Sequence, residues 1–163
     1  MPIRTVAIAI ELRPTLQISR TTSSPKPLST MNASLAIRTG SIWMALAVGL
    51  GAFGAHSLEA RLAALDSAGT WQTAVTYQAW QALGLVLLGA VTIAAKDRLP
   101  SSAGRITGWL LLTGSCLFSA SLYLLALYPD LSRLGVVTPV GGLLMILGWL
   151  GFAALGGALK NHE

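Results

Sequence analysis

Four long apolar stretches dominate this sequence and constrain its fold more than any other feature. They run over about residues 34–55, 73–95, 106–128 and 136–159. Each is close to the roughly 20 residues that an α-helix needs to cross the ~30 Å hydrocarbon core of a bilayer. The stretches are unbroken, whereas the strands of a membrane barrel alternate in polarity over about 10 residues. The pattern predicts an all-α membrane protein built as a bundle of four transmembrane helices.

The composition favours lipid as the solvent of this chain. Charged residues make up 10% of the sequence and hydrophobic residues 53%, whereas about 25% of an average soluble protein is charged. So few charges cannot solvate a globular surface of this size, which argues against a soluble enzyme. The sequence shows no basic face with interleaved aromatic residues, so we expect the membrane lipid bilayer, and no nucleic acid, as a partner.

The segment 1–30 differs from the remainder, 31–163, and we treat the two as separate units. It is rich in Ser, Thr and Pro and has a single acidic residue, Glu11. Its apolar run at 6–10 is too short for the core of a signal peptide. Two interpretations fit: an extension from a misassigned start, with Met31 as the true initiator, or an organelle transit peptide. We favour the first because Met31 lies just before the first apolar stretch, and we expect disorder in a segment with so little to bury.

The distribution of Lys and Arg predicts the orientation in the membrane. Four spans place both chain ends and the turn at 96–105 on the same side of the bilayer. Five basic residues lie near the span ends on that side: Arg38, Lys96, Arg98, Arg105 and Lys160. The opposite side has only Arg61 and Arg133. Because positive residues accumulate in cytoplasmic loops, we expect the N and C termini in the cytoplasm.

Small residues at four-residue spacing predict where the helices touch. Lipid tails provide no hydrophobic drive for helix association, so close backbone approach matters. The small residues that we expect at helix contacts are Ala47, Gly51, Ala55, Ser115, Ser119, Ala153 and Gly157. In the first loop, Leu58, Leu62 and Leu65 share one helical face, which predicts a short helix that either lies in the membrane interface or packs on the bundle.

Four motifs, in order along the chain, resemble those of a known membrane family. They are Gly51-Ala52-Phe53-Gly54-Ala55-His56, Tyr77-Gln78-Ala79-Trp80-Gln81-Ala82-Leu83, Phe118-Ser119-Ala120-Ser121-Leu122-Tyr123, and Thr138-Pro139-Val140-Gly141-Gly142 followed by Gly148-Trp149. Over about residues 35–157 the chain resembles the domain of unknown function 423 family of YgdD-like bacterial inner-membrane proteins, and it is similar to eukaryotic transmembrane protein 256. The resemblance implies a bacterial plasma (inner) membrane location and no established activity.

The chain departs from that family at two positions. The family usually has His where Gln81 stands and often has Gly where Ala120 stands. An amide does not ionise near neutral pH, so a role that needs a titrating imidazole at the first position is absent here. Hydrogen bonding or packing remains as the role of Gln81.

The predicted topology brings polar side chains together in the half of the bundle that faces away from the cytoplasm. This candidate cluster consists of His56, Tyr77, Gln78, Gln81, Ser119, Ser121, Tyr123 and Thr138. Three interpretations compete. The cluster is a hydrogen-bond network that holds the helices, a pocket for an ion, proton or lipid headgroup with His56 as the titrating group, or a docking surface for a partner protein. We favour the first interpretation.

The sequence lacks the residues that membrane catalysis or metal binding would need. None of the four spans contains an acidic residue, and the lone Cys116 has no Cys or His at ligand spacing. The two histidines, His56 and His162, fall on opposite sides of a ~30 Å core. We therefore expect no catalytic residue, no metal site and no cofactor, and a small non-enzymatic membrane protein. A transporter or channel subunit is the alternative, a lipid-active enzyme is a weaker one, and a homo-oligomer or a membrane-protein partner stays open.

Overall fold

The computed structural model describes residues 31–95 and 101–160, so the expected extension at 1–30 lies outside the described residues. Within them the chain is helical and contains no β-strand. The helices are α1 (Ala33–Ala55), α2 (Glu59–Ala64), α3 (Ala68–Ala94), α4 (Ser101–Leu127) and α5 (Val137–Lys160), with a short 3-10 helix at Ser132–Val136 before α5. Helices α1, α3, α4 and α5 are long and apolar enough to cross a membrane. The prediction of an all-α protein with four spans is confirmed.

Helices α3 and α4 both begin about five residues before the apolar stretches that predicted them. Each has 27 residues, which is about 40 Å of helix. The hydrocarbon core is only about 30 Å thick, so hydropathy marks the embedded part and misses the turns that extend into the interface. The start of α1 follows local chemistry instead, because the Asn32 side chain accepts a 2.8 Å hydrogen bond from the Leu35 backbone N–H.

The four long helices pack as antiparallel neighbours, α1 on α3, α3 on α4 and α4 on α5. Helices α3 and α4 form the central pair. In an apolar 18-residue stretch of each helix, 39% of the residues are buried in α3 and 33% in α4, against 17% in α1 and in α5. We call the end where α1 begins and α5 finishes the terminal end. The opposite end, which carries α2 and the 3-10 helix, is the loop end.

Helix α2 packs on the loop end of the bundle, as one of its two interpretations proposed. Leu62 is 3% exposed and lies in an apolar cluster with Trp71 and Ala126. The Ser67 hydroxyl donates to the Ala126 carbonyl at 2.7 Å, and the Arg61 guanidinium donates to the Leu127 carbonyl at 3.1 Å. These bonds satisfy carbonyls at the end of α4 that have no partner within the helix.

The backbones of α4 and α5 approach each other closely at Gly114 and Gly141. A Cβ atom on Gly141 would lie 2.5 Å from the Phe118 backbone nitrogen and 2.8 Å from the Gly114 carbonyl oxygen. A Cβ atom on Gly114 would lie 2.9 Å from the Gly141 carbonyl oxygen. Only residues without side chains fit where two helix backbones touch in this way.

The small-residue prediction is correct for some positions and wrong for others. Ala47, Ser115 and Ser119 are buried at helix contacts. Ala55, Ala153 and Gly157 are exposed instead, and Gly51 is half-buried. Four-residue spacing is shared by several faces of one helix, so it does not determine which face meets a neighbour.

We expect Gly141→Ala to destabilise the bundle. The new methyl group would press on the backbone of α4, and such overpacking costs about 1–3 kcal/mol. The midpoint of thermal unfolding in detergent measures this loss. Gly156→Ala on the same helix is the matched control, because nothing lies within 4 Å of its Cβ position. Equal midpoints for the two variants would contradict the close contact.

Candidate functional site: a buried polar network

Helix α3 supplies the two amides at the centre of the candidate site. Gln78 and Gln81 lie three residues apart, on neighbouring turns, and are 1% and 3% exposed. An amide removed from water costs several kcal/mol, of order 2–7, unless hydrogen bonds replace its hydration. Both amides therefore need partners from the helices that pack around α3.

Gln78 joins three helices through one continuous chain of hydrogen bonds. Its Oε1 accepts from the Tyr123 hydroxyl of α4 at 2.8 Å. Its Nε2 donates to the Trp43 backbone carbonyl of α1 at 3.1 Å. The Trp43 indole N–H then donates to the Ser115 hydroxyl of α4 at 2.8 Å. We call these hydrogen bonds, together with those of Gln81, Trp149, Ser119, Ser121 and Thr138, the polar network.

Gln81 connects α3 to α5, whose backbones do not pack closely against each other. Its Oε1 accepts from the Trp149 indole N–H at 3.0 Å. The Trp149 ring lies over Gly84, where a Cβ atom would come within 3.0 Å of it. The missing side chain at Gly84 thus allows the indole to reach across from α5 to α3.

Two serines of α4 extend the polar network towards the loop end. The Ser119 hydroxyl is fully buried and donates to the Ala74 carbonyl of α3 at 3.1 Å. The hydroxyls of Ser121 and Thr138 lie 2.7 Å apart and join α4 to the start of α5. The Ser121 hydroxyl also lies 2.9 Å from the Phe118 carbonyl, to which it donates, so Thr138 is the donor in the first pair.

Six of the eight candidate residues thus take part in interior hydrogen bonds, and two lie outside the network. Tyr77 is 36% exposed, and its ring packs at a tilt against Phe118 and Trp80, with centroids 4.8 and 5.2 Å away. His56 is exposed where α1 ends, and no bond in the described residues ties it to the network. The pocket interpretation with His56 as its titrating group therefore lacks the geometry it needs.

Sequence reasoning missed three members of the polar network, Trp43, Ser115 and Trp149. A buried indole or hydroxyl needs a partner, and this rule is the signal that could have found them. Helical periodicity alone does not show which side chain of a neighbouring helix stands opposite.

The described residues offer no grouping that suits a metal ion. Within 31–95 and 101–160, no three His, Cys, Asp or Glu side chains lie close enough to share one. Every fully enclosed side-chain nitrogen or oxygen in this part of the chain has a hydrogen-bond partner. The arrangement is chemically suited to holding helices together.

Comparison with known proteins places the chain in a family. The model of the family described as "Protein of unknown function (DUF423)" matches residues 50–142, which is more than half of the chain. The chain belongs to the DUF423 family. The match spans both glutamines as well as Ser119 and Tyr123, whereas Trp43 and Trp149 lie outside it.

Curated relatives are membrane proteins of bacteria and of a yeast. A UPF0382 membrane protein of Staphylococcus haemolyticus is 41% identical over 116 residues, which cover 71% of this chain and 89% of the relative. One of Bacillus subtilis is 42% identical over 113 residues, covering 68% and 86%. One of Schizosaccharomyces pombe is 42% identical over 108 residues, covering 64% and 86%. No solved structure matches the chain. With four spanning helices, this DUF423 chain is a multi-pass membrane protein.

A double-mutant cycle tests the bond at the centre of the polar network. We expect Tyr123→Phe and Gln78→Leu each to lower stability in detergent. Their coupling energy should be about 0.6 kcal/mol, the average of double-mutant cycles on interhelical hydrogen bonds in membranes, and should not exceed about 1.7 kcal/mol. Tyr77→Phe is the matched control, because it removes a hydroxyl outside the network. A coupling energy indistinguishable from zero would show that the bond adds nothing to stability.

Proposed function

We propose that this chain is a non-enzymatic protein of the bacterial plasma membrane, with both termini in the cytoplasm, whose polar network fixes the packing of its four spans. The observation that carries the proposal is the hydrogen-bond chain from Tyr123 through Gln78 and Trp43 to Ser115. In it, polar groups of different spans are hydrogen-bonded to one another. Interhelical polar residues act as structural contacts in lipid in this way.

An apolar layer between the polar network and the terminal end supports the structural interpretation over a conduction pathway. Leu85, Leu88 and Leu111 are 0–2% exposed there, and Met31 and Ala36 join Leu85 and Leu111 in one apolar cluster. An ion or proton crossing the bundle would need water or polar groups at this level. The layer offers aliphatic side chains instead.

The charge distribution supports the proposed orientation. Arg38 and Arg105 are exposed at the terminal end, and the sequence adds Lys96, Arg98 and Lys160 near it. Near the loop end the basic residues are Arg61 and Arg133. The excess of positive charge at the terminal end favours its retention in the cytoplasm.

One amide nitrogen favours a second candidate, a small transporter or channel subunit. The Trp149 indole donates to Gln81, so the amide oxygen must face the indole and the nitrogen must point away. No hydrogen bond from that nitrogen is found among the described residues. Because every fully enclosed side-chain nitrogen in this part of the chain has a partner, this nitrogen reaches a surface of the bundle, where it can donate to an anion or a polar solute. A transport role would use this donor.

A reporter fusion tests the orientation. We expect an alkaline phosphatase fused after Glu163 to be inactive, because that enzyme folds only outside the cytoplasm, and a green fluorescent protein at the same place to fluoresce. The same two reporters fused within the loop after Pro129 serve as the control and should give the opposite pattern. An active phosphatase after Glu163 would reverse the proposed orientation.

A flux assay separates the two candidate functions. Purified protein in vesicles loaded with a chloride-sensitive or a pH-sensitive dye should give the same chloride and proton leak as empty vesicles. We expect Gln81→Leu to lower the unfolding midpoint without changing that leak, since its main effect is the lost bond to Trp149. Protein-dependent flux that Gln81→Leu abolishes, with the unfolding midpoint unchanged, would replace the structural proposal by the transport one.

A further inference from the structure

An apolar groove runs between α4 and α5 at the terminal end, on the surface that faces lipid. Its volume is about 310 Å³, at the lower end of the roughly 300–1,000 Å³ typical of small-molecule sites. Small residues open it, and longer aliphatic side chains form its walls. The lining residues are Ala103, Ile106, Thr107, Leu110, Gly151, Ala154 and Leu155. A linear hydrocarbon chain matches such a lining.

One polar atom interrupts the apolar lining, the hydroxyl of Thr107. The residue is 2% exposed, and its oxygen faces Gly151, where a Cβ atom would lie 2.7 Å away. None of the hydrogen bonds found among the described residues involves this hydroxyl. Since no fully enclosed side-chain oxygen in this part of the chain lacks a partner, the Thr107 oxygen must reach the groove surface. A hydroxyl at the surface of an apolar groove, with no partner among the described residues, can donate to an acceptor supplied by a ligand.

The depth of Thr107 indicates which acceptor that is. It lies six residues into α4, about 9 Å along the helix. A 27-residue helix centred on a ~30 Å hydrocarbon core extends about 5 Å beyond it at each end. The hydroxyl therefore lies roughly 4 Å inside the core boundary, close to where the ester carbonyls of a membrane lipid join its acyl chains.

The charge of the terminal end indicates the headgroup. The sequence places five basic residues near this end against two acidic ones, Asp97 and Glu163. Basic surfaces beside clefts between transmembrane helices attract anionic headgroups, at about 1 kcal/mol per basic residue near the surface. A zwitterionic headgroup gains little from that field.

We propose that the α4–α5 groove binds one acyl chain of an anionic glycerophospholipid, whose ester carbonyl accepts a hydrogen bond from the Thr107 hydroxyl. The acyl chain lies along Leu110, Ala154 and Leu155, and the headgroup stays at the basic terminal end. This site is separate from the polar network, which lies nearer the loop end.

Native mass spectrometry of the full chain in detergent tests the proposal, with phosphatidylglycerol as the probe and phosphatidylcholine as the neutral comparison. We expect one phosphatidylglycerol per chain, retained at least tenfold better than phosphatidylcholine. Ala154→Phe fills the groove and should lower retention about tenfold. Thr107→Val removes the donor while keeping the shape, and should lower retention about three- to tenfold, as expected for one hydrogen bond.

Two matched controls make the outcome decisive. Ala153→Phe places the same ring on the neighbouring residue of α5, which is exposed and does not line the groove. Thr113→Val removes a hydroxyl of α4 that already donates to the Trp109 carbonyl at 2.6 Å. Both should leave retention unchanged. If Ala154→Phe does not fold, Ala103→Phe blocks the groove from α4. Equal retention by groove and control variants, or equal retention of the two lipids, overturns the proposal.

Discussion

The structure depends on the cost of leaving an amide unpaired in hydrocarbon. Gln78 sits among helices where water cannot replace a lost partner, so its amide must find both an acceptor and a donor in protein. It finds them on α1 and on α4. Apolar side chains would associate with lipid and with one another about equally. The two hydrogen bonds of Gln78, in contrast, form only in one arrangement of the helices. Polar contacts therefore specify the arrangement, and apolar contacts fill the space around them.

The location of the spans could be predicted from the sequence because hydropathy over about 20 residues reports the solvent of a helix directly. The helix ends could not, since Ser67 and Ser101 are polar and still lie at helix starts in the interface. The facing of small residues was predicted correctly at Ala47 and Ser119 and wrongly at Ala153. A four-residue repeat shows that small residues form a row on one helical face. Whether another helix packs on that face depends on where the neighbouring helix lies.

For the candidate site, too, the sequence predicted the location of residues along the spans but not their contacts. The four-span topology was enough to gather Gln78, Gln81 and Tyr123 in the same half of the bundle, because residue counts convert to depth at a fixed rise. The topology alone could not predict which side chains form hydrogen bonds with each other. Depth places Gln81 opposite several polar groups, and only the rotation of α5 about its axis brings Trp149 to it. His56 was included because the first span ends there on the same side, although a residue at the end of a span can equally point outward.

The polar network also divides the chain into two hairpins, each of which needs the other. The first hairpin, α1 with α3, carries Gln78 and Gln81, and the oxygens of both amides are satisfied by donors from the second, α4 with α5. The second hairpin carries Ser115, whose partner is the indole of Trp43 in the first. A hairpin released alone from the insertion machinery would hold unsatisfied dipoles in lipid. After insertion, the unpaired acceptors of the first hairpin and the unpaired donors of the second therefore favour association of the two hairpins. This favours docking within one chain before association with unrelated helices nearby.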